Sequence, residues 1–181
     1  MKKLMVVMFA LAFAGSARAQ SADALQKALN REATSLASWT TNKTIVDAVK
    51  QQNAKNVAAA EVQKIDKEWQ GGGAAAAVKQ ATTGPCADAL RTLTSSNTRY
   101  GETFVTDTRG AIVCATQRTS DYWQGDEPKW ERPFTDGKAF IDRPRMDDSA
   151  KLHLAQVSLP VADGGKTIGV LTVGIIVEKI K

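Results

Sequence analysis

The stretch FVTDTRGAIV at residues 104–113 has the sequence pattern of two short strands joined by a tight turn. Two short runs of apolar and β-branched residues, Phe104-Val105-Thr106 and Ala111 to Thr116, flank the tetrapeptide Asp107-Thr108-Arg109-Gly110. The glycine supplies the positive φ that a tight turn between two strands requires. We therefore predict a β-hairpin at this point of the chain.

Two segments downstream of the hairpin also have strand character. Leu152 to Val161 alternates apolar and polar residues, with one slip near Ala155-Gln156 that we interpret as a β-bulge. Asp163-Gly164-Gly165 then turns the chain, and Ile168 to Val177 is so rich in β-branched residues that we predict a central strand buried on both faces. Between the hairpin and these strands we expect a long loop from Thr119 to Phe134, rich in Trp, Pro and charge.

Upstream of the hairpin the pattern is helical. Leu25, Leu29, Ala33 and Leu36 recur on one face of a helix, and the apolar stripe continues after an interruption at Thr40–Thr44. Further helices are predicted at 56–69, ended by three glycines, and at 86–93 after a Gly-Pro break. Helices followed by an antiparallel meander predict an α+β domain.

The first nineteen residues predict a cleaved secretory signal peptide. Lys2 and Lys3 form a basic start, Leu4 to Ala14 is an unbroken apolar run of eleven residues, and Ala17-Arg18-Ala19 offers small residues for cleavage after Ala19. A membrane anchor is the alternative, but at about 1.5 Å per residue this run covers only about half of a hydrocarbon core of roughly 30 Å. We expect residues 20–181 to form one domain in the periplasm.

Charge and composition exclude several classes of function. The chain of 181 residues has a formal charge of +5, but three basic residues lie in the predicted signal, so 21 basic and 19 acidic side chains remain, a charge of +2. These charges are scattered, so nucleic-acid binding is not predicted. One His and two Cys leave almost no material for a zinc site. We also find no nucleophile motif such as G-x-S-x-G. We therefore predict no enzyme activity, no metal and no cofactor.

The hairpin and the segment after it resemble the Cache superfamily, the PAS-like extracytoplasmic sensor domains also called PDC domains. Two strings carry the resemblance: Phe104-Val105-Thr106-Asp107-x-x-Gly110-x-Ile112-Val113 and Thr119-Ser120-Asp121-Tyr122-Trp123-Gln124-Gly125-Asp126-Glu127-x-Lys129-Trp130. Other matching pieces lie in both halves of the chain: Asn53, Ile65-Asp66, Trp69, Val157-Ser158-Leu159-Pro160-Val161, Asp163 and Ile168-Gly169-Val170-Leu171. The resemblance therefore extends over nearly all of the chain after the predicted signal.

The resemblance implies a fold and a type of function. It implies a long N-terminal helix packed on a five-stranded antiparallel PAS-like sheet, with a small ligand held between the sheet and the loops that cross it. Such domains usually belong to chemoreceptors, histidine kinases or cyclic-dinucleotide enzymes. Because the N-terminal apolar segment looks removable and the chain ends directly after the last strand, we expect a stand-alone single-Cache module.

The segment from Asp121 to Trp130 is the best candidate for a ligand site, since it combines two Trp, one Tyr and three acids in ten residues. Aromatic planes with a few directed polar groups suit a small-molecule pocket. The other interpretation is that Trp123 and Trp130 close the open end of the sheet while the acids are solvated. The predicted ligand-binding residues are Asp121, Tyr122, Trp123, Asp126, Trp130 and Arg132.

Arg132 enters this set because residues 129–134 fall near the place where amino-acid-binding double-Cache receptors carry an Arg-x-Trp element, which makes Trp130 a candidate to cover a ligand and Arg132 a candidate to bind it. Its guanidinium would pair with a ligand carboxylate, as the fork geometry allows. Those receptors hold the ligand's amine with an Asp in the final strand, and here no carboxylate lies between Gly169 and Val177. Solvation at the surface is the alternative for Arg132.

The remaining reactive side chains have structural interpretations. A disulfide between Cys86 and Cys114 is possible in an oxidising compartment, although a buried Cys114 and a free Cys86 is the alternative. His153, the only histidine, lies on an alternating strand and points away from Leu152 and Leu154, so we interpret it as a structural or pocket-lining residue.

The leading functional hypothesis is a binding module that holds a small polar metabolite and relays binding to a membrane-bound receptor, kinase or cyclic-dinucleotide enzyme. The alternative is an interaction protein whose Cache fold has no ligand and which docks to a membrane receptor or transporter. A homodimer through the long N-terminal helix is also possible, because the apolar stripe permits it without requiring it.

Overall fold

The computed structural model describes residues 22–147 and 152–180. The predicted signal peptide at 1–19 lies outside these residues. In the two described ranges, no helix combines the length and the apolar character needed to cross a membrane.

The helices precede the sheet, with one exception. Helix α1 occupies residues 22–36 and passes through a 3₁₀ turn, Ala37–Thr41, into α2. The others are α2, Lys43–Ala54; α3, Ala59–Gln70; α4, Ala75–Thr82; α5, Pro85–Ser95; and α6, Pro128–Asp136. The Asn42 side chain caps α2 by accepting from the N–H groups of Thr44 and Ile45, which explains why the stripe restarts after the interruption.

The strands are β1, Tyr100–Thr106; β2, Ile112–Ala115; β3, Phe140–Ile141; β4, Arg145–Asp147; β5, Leu152–Asp163; and β6, Lys166–Ile176. They form one antiparallel sheet in the order β2-β1-β6-β5-β3, and β4 also pairs with β5. The α+β class, the antiparallel sheet and the packed N-terminal helix are thus confirmed. The predicted central strand is β6, buried continuously from Gly169 to Ile176.

The hairpin forms through the turn residues that its sequence predicts. Gly110 has a φ of 81°, and its N–H donates to the carbonyl of Asp107 at 3.1 Å. One carboxylate oxygen of Asp107 also accepts from the N–H groups of Arg109 and Ala111, at 2.8 and 3.0 Å. The turn is therefore held by its aspartate as well as by its glycine.

The sheet has two unlike faces, which we call the helix face and the front face. On the helix face, Val157, Leu171 and Val173 are fully buried against Leu36 and Ile45 of the first two helices. The front face carries α6, which packs on β5 and β6. A second apolar cluster covers the β2 end of the sheet: Val62, Trp69, Ala81, Phe104, Ala111, Ile112, Ala115 and Tyr122.

Three sequence expectations differ from the structure in detail. Helix α3 begins at Ala59 rather than at residue 56, because Asn56 has a φ of 46° and cannot continue a helix. Helix α6, Pro128–Asp136, begins within the segment from Thr119 to Phe134 that the sequence predicts as a loop. The β5–β6 ladder runs without a break through Ala155-Gln156, and its irregularity lies at Val161/Ala162. Leu154 pairs with Ile176 on the covered front face, so the apolar pair Leu154-Ala155 needs no bulge.

Candidate functional site

Helix α3 holds the first part of the predicted site segment. One carboxylate oxygen of Asp66 accepts from the N–H groups of both Tyr122 and Trp123, at 2.8 and 2.9 Å. The indole N–H of Trp69 donates to the Thr119 carbonyl at 2.7 Å. These bonds satisfy loop backbone groups that lack a strand partner, so α3 fixes the path of residues 119–123.

Tyr122 and Trp123 diverge from this anchored point. The Tyr122 ring is buried against Trp69 with 5.5 Å between ring centroids, and burial raises the pKa of Tyr122 to about 12. Trp123 is half-buried at the hairpin and donates its indole N–H to the Arg109 carbonyl at 2.7 Å. A Cβ on Gly125 would lie 2.4 Å from the Trp123 indole nitrogen, so this glycine permits the close approach.

The two aspartates of the segment, Asp121 and Asp126, lie outside the described cavities. The hydroxyl of Ser120 donates to the Asp121 carboxylate at 2.7 Å, and the Asp121 carbonyl accepts from Thr119 and Gln124. Asp126 is exposed in the turn before α6. Neither carboxylate lines a described cavity.

Trp130 and Arg132 lie on α6, above the front face. Trp130 donates its indole N–H to the Asp107 carbonyl at 3.2 Å and stacks on Phe134 with 4.7 Å between centroids. The guanidinium of Arg132 lies over the Phe140 ring at 5.0 Å and is exposed. Of the six predicted ligand residues, only Tyr122 lines one of the four described cavities, so their role in binding stays a prediction.

The largest of the four described cavities lies on the front face at the end of the sheet away from the hairpin turn, and we call it the front-face cleft. Its volume is about 650 Å³. A neighbouring cavity of about 210 Å³ shares three of its residues, Lys129, Leu154 and Gln156. The other principal lining residues of the larger cavity are Tyr100, Glu102, Thr116, Arg118, Ser120 and Ile176.

Lys129 is the charged side chain that this cleft buries most deeply. It is 8% exposed, its ammonium pairs with Glu127 at 3.0 Å, and it lies 5.6 Å from the centroid of the Phe104 ring. An ammonium has three donors, and the ion pair with Glu127 uses one of them. No sequence signal distinguishes this residue, because a Lys among other charged residues is normally exposed to solvent.

The sheet under α6 is polar where a purely structural core would be apolar. Thr106, Ser158 and Thr172 are each at most 1% exposed, and the hydroxyls of Ser158 and Thr172 bond to each other at 2.9 Å. Ser158 and Thr172 are also direct cross-strand partners. The sequence signal was available, because Ser158 and Thr172 stand alone among apolar neighbours in their strands.

Asp107 connects the hairpin turn to both faces. Its carbonyl accepts from Trp130 on α6, and its carboxylate is hydrogen-bonded by Gln52 of α2. Burial raises the pKa of Asp107 above its ordinary value, although the N–H groups of Arg109 and Ala111 act in the opposite direction.

The remaining candidate residues make structural contacts. Cys86 and Cys114 form a disulfide that joins α5 to β2, with their Cα atoms 5.9 Å apart. His153 is exposed on β5, and its ring nitrogen Nδ1 lies 2.8 Å from the Glu178 carboxylate. It lines none of the four described cavities. No group of three or more potential metal ligands occurs among residues 22–147 and 152–180.

Comparisons with known proteins give likenesses in fold only. A search of protein-family models and a search of curated proteins found no significant match. The search of solved structures found the sensor domain of the V. cholerae histidine kinase DctB, at 12% identity and a TM-score of 0.49, covering 92% of this chain and 57% of that one.

Two chemoreceptor domains were also found. The ligand-binding domain of the Pseudomonas aeruginosa amino acid chemoreceptor PctC, solved with GABA, is 14% identical with a TM-score of 0.44, over 71% of this chain and 62% of that one. The sensory domain of the Campylobacter jejuni chemoreceptor Tlp3, solved with isoleucine, is 16% identical with a TM-score of 0.41, over 88% and 66%. This chain spans less than two thirds of each of these domains. All three are sensor, sensory or ligand-binding domains, and the likeness of this chain to them is one of fold.

Proposed function

We propose that this protein is a periplasmic sensor module that binds a small polar metabolite reversibly in the front-face cleft and relays binding to a separate membrane signalling protein. The observation that carries the proposal is the buried ammonium of Lys129 at the wall of a cavity of about 650 Å³. Pockets of this size with a few convergent polar groups are typical of small-molecule sites.

Lys129 would anchor an anionic or strongly accepting group of the metabolite. Burying an ammonium costs free energy unless it is paired, and a ligand oxygen would add to the pairing that Glu127 already gives. The Gln156 amide lines the same wall and can orient a second polar group.

Helix α6 would act as the cover of the site. It carries Lys129, Trp130 and Arg132, and it packs on β5 and β6, the strands that carry the buried hydroxyls of Ser158 and Thr172. A small displacement of α6 would bring those hydroxyls and the two predicted residues Trp130 and Arg132 into contact with a ligand. The predicted contacts of Asp121, Tyr122, Trp123 and Asp126 would require the loop before α6 to move as well.

This arrangement supports binding rather than chemistry. A sensor responds because its ligand binds one conformation better than another, and the position of α6 is the conformational variable in this proposal. The proposal therefore assigns no catalytic residue.

A thermal-shift screen of small carboxylates, amines and purines tests the ligand proposal. A specific ligand at a hundredfold excess over its Kd is expected to stabilise the wild-type protein by about 2.7 kcal/mol. Lys129→Met is expected to lose most of this stabilisation, since it removes the ammonium and keeps the length of the side chain.

Lys64→Met is the matched control, because Lys64 is an exposed residue of α3 whose ammonium lies 3.8 Å from the Glu61 carboxylate. It should bind the ligand as the wild type does. Equal binding by Lys129→Met would place the ligand elsewhere, and no response to the whole library would favour the alternative of a ligand-free docking protein.

Localisation and relay need separate measurements. We expect the protein in the osmotic-shock fraction with an N-terminus at Gln20, and a photo-crosslinker at the exposed position Lys27 is expected to capture a membrane protein in a ligand-dependent way. An intact N-terminus or ligand-independent products would contradict these parts of the proposal.

A further inference from the structure

A second open cavity lies on the helix side of the molecule, and we call it the helix-side groove. Its volume is about 450 Å³, and it runs between α2 and the corner where α4 passes into α5. The Cys86–Cys114 disulfide and Val113 form its floor. It shares no lining residue with the front-face cleft.

One wall of the groove is a single face of α2. Asp47, Gln51 and Lys55 follow one another at intervals of four residues, so they stand on the same side of the helix. At about 1.5 Å per residue, Asp47 and Lys55 are separated by about 12 Å along the axis. The wall therefore has a carboxylate at one end, an ammonium at the other and an amide between them.

The opposite wall is also polar without being charged. Gln80 and Thr83 line it across from α2. Side-chain amides have both donors and acceptors, which is the combination that a peptide group requires from its partners.

An apolar pocket opens at the Lys55 end of the groove. It has a volume of about 110 Å³ and shares Gln52, Lys55 and Gln80 with the groove. Its remaining lining is mainly apolar: Val57, Ile65, Ala77, Ala81, Ile112 and Tyr122. The ammonium of Lys55 donates to the Gln52 side chain at 2.9 Å, which holds the positive charge at the entrance of this pocket.

From this layout we propose that the helix-side groove binds a short peptide of about three residues with an apolar C-terminal side chain. Its carboxylate would bind Lys55, its last side chain would fill the apolar pocket, and its peptide groups would bond to Gln51 and Gln80. An extended chain spans about 3.3–3.6 Å per residue, so three residues match the distance to Asp47. Asp47, which also pairs with Lys43, would receive the N-terminal ammonium.

This site goes beyond the proposed function, because the groove shares no lining residue with the front-face cleft and does not involve Lys129; of the six predicted ligand residues, its apolar pocket includes Tyr122. Isothermal titration with the tripeptide Ala-Ala-Leu tests it. The wild-type protein is expected to bind this peptide, and its C-terminal amide and the peptide Ala-Ala-Asp are each expected to bind about tenfold more weakly. The first change removes the carboxylate and the second puts a charge into the apolar pocket.

Variants of the protein test where the peptide binds. Lys55→Met is expected to weaken binding of Ala-Ala-Leu about tenfold and to make the protein indifferent to amidation of the peptide, since the partner of the carboxylate is gone. Lys64→Met and Lys129→Met are expected to bind as the wild type does. Thermal unfolding of each variant shows that it is folded.

Three results would overturn the proposal. They are no binding of Ala-Ala-Leu to the wild type, an unchanged tenfold effect of amidation in Lys55→Met, and loss of binding in Lys129→Met. The last would assign the peptide to the front-face cleft, so a failure of this inference is distinguishable from a failure of the proposed function.

Discussion

The helix face of the sheet is a continuous apolar core, whereas the front face alternates apolar side chains with hydroxyls, an amide and a buried ammonium. Val157, Leu171 and Val173 are fully buried on the helix face. Their front-face neighbours along the same strands are Ser158 and Thr172. Apolar burial stabilises a fold in proportion to area, while a buried hydroxyl contributes little once its desolvation is counted. The helix face therefore supplies most of the stability, and the front face retains groups that can bind.

The largest expected effect comes from a truncation on the helix face. Leu171→Ala should lower the free energy of unfolding by about 2–5 kcal/mol, because it leaves a cavity in a closed core. Leu154→Ala, at a half-buried front-face position, should cost about 1 kcal/mol. Urea unfolding of both variants measures the contrast. Equal losses of unfolding free energy would contradict this expectation, because they would mean that the two faces contribute alike to stability.

The disulfide adds a second constraint to the helix face. It closes a loop with a sequence separation of 28, and for such a loop the chain-entropy model gives about 3–4 kcal/mol. The double variant Cys86→Ala/Cys114→Ala should lose about this amount in chemical denaturation. Reduction of the wild-type protein should have the same effect, and a wild type indifferent to reductant would contradict the expectation.

A smaller effect is expected at Asp107, where the two faces meet. Because burial raises the pKa of Asp107 from 3.8, its ionisation destabilises the fold. This cost is absent below the unfolded pKa and complete above the folded pKa. The stability of the wild type relative to Asp107→Asn should therefore fall as the pH rises from below 3.8 through the raised pKa of Asp107. Unfolding measured across this range checks it, and a constant difference would show that the carboxyl is not perturbed.

Sequence reasoning identified the fold best where local rules and burial agree. The Asp107–Gly110 turn follows from turn chemistry, and β6 follows from its run of β-branched residues. Helix α6 was missed because Pro128, Pro133 and four charged residues read as a loop. The helix forms because Pro128 occupies its first turn, where no N–H bond is lost, and because Lys129 and Pro133 are buried against the sheet.

The candidate site was harder to predict than the fold. Sequence proximity grouped Tyr122, Trp123 and Trp130 together, yet their indole and backbone N–H groups bond to three separate partners: Asp66, Arg109 and Asp107. Lys129 stands within the same segment, but its burial depends on contacts with Phe104 and Glu127.

The hairpin and the succession of a helical half and a mainly stranded half could be predicted from the sequence, because they depend on periodicity and on turn residues close together in the chain. The tertiary structure decided which polar groups are buried beside open space. The front-face cleft joins residues from 100 to 176, and the helix-side groove joins residues from 44 to 114. A cavity is the space left between elements after they pack, so no local pattern encodes its position.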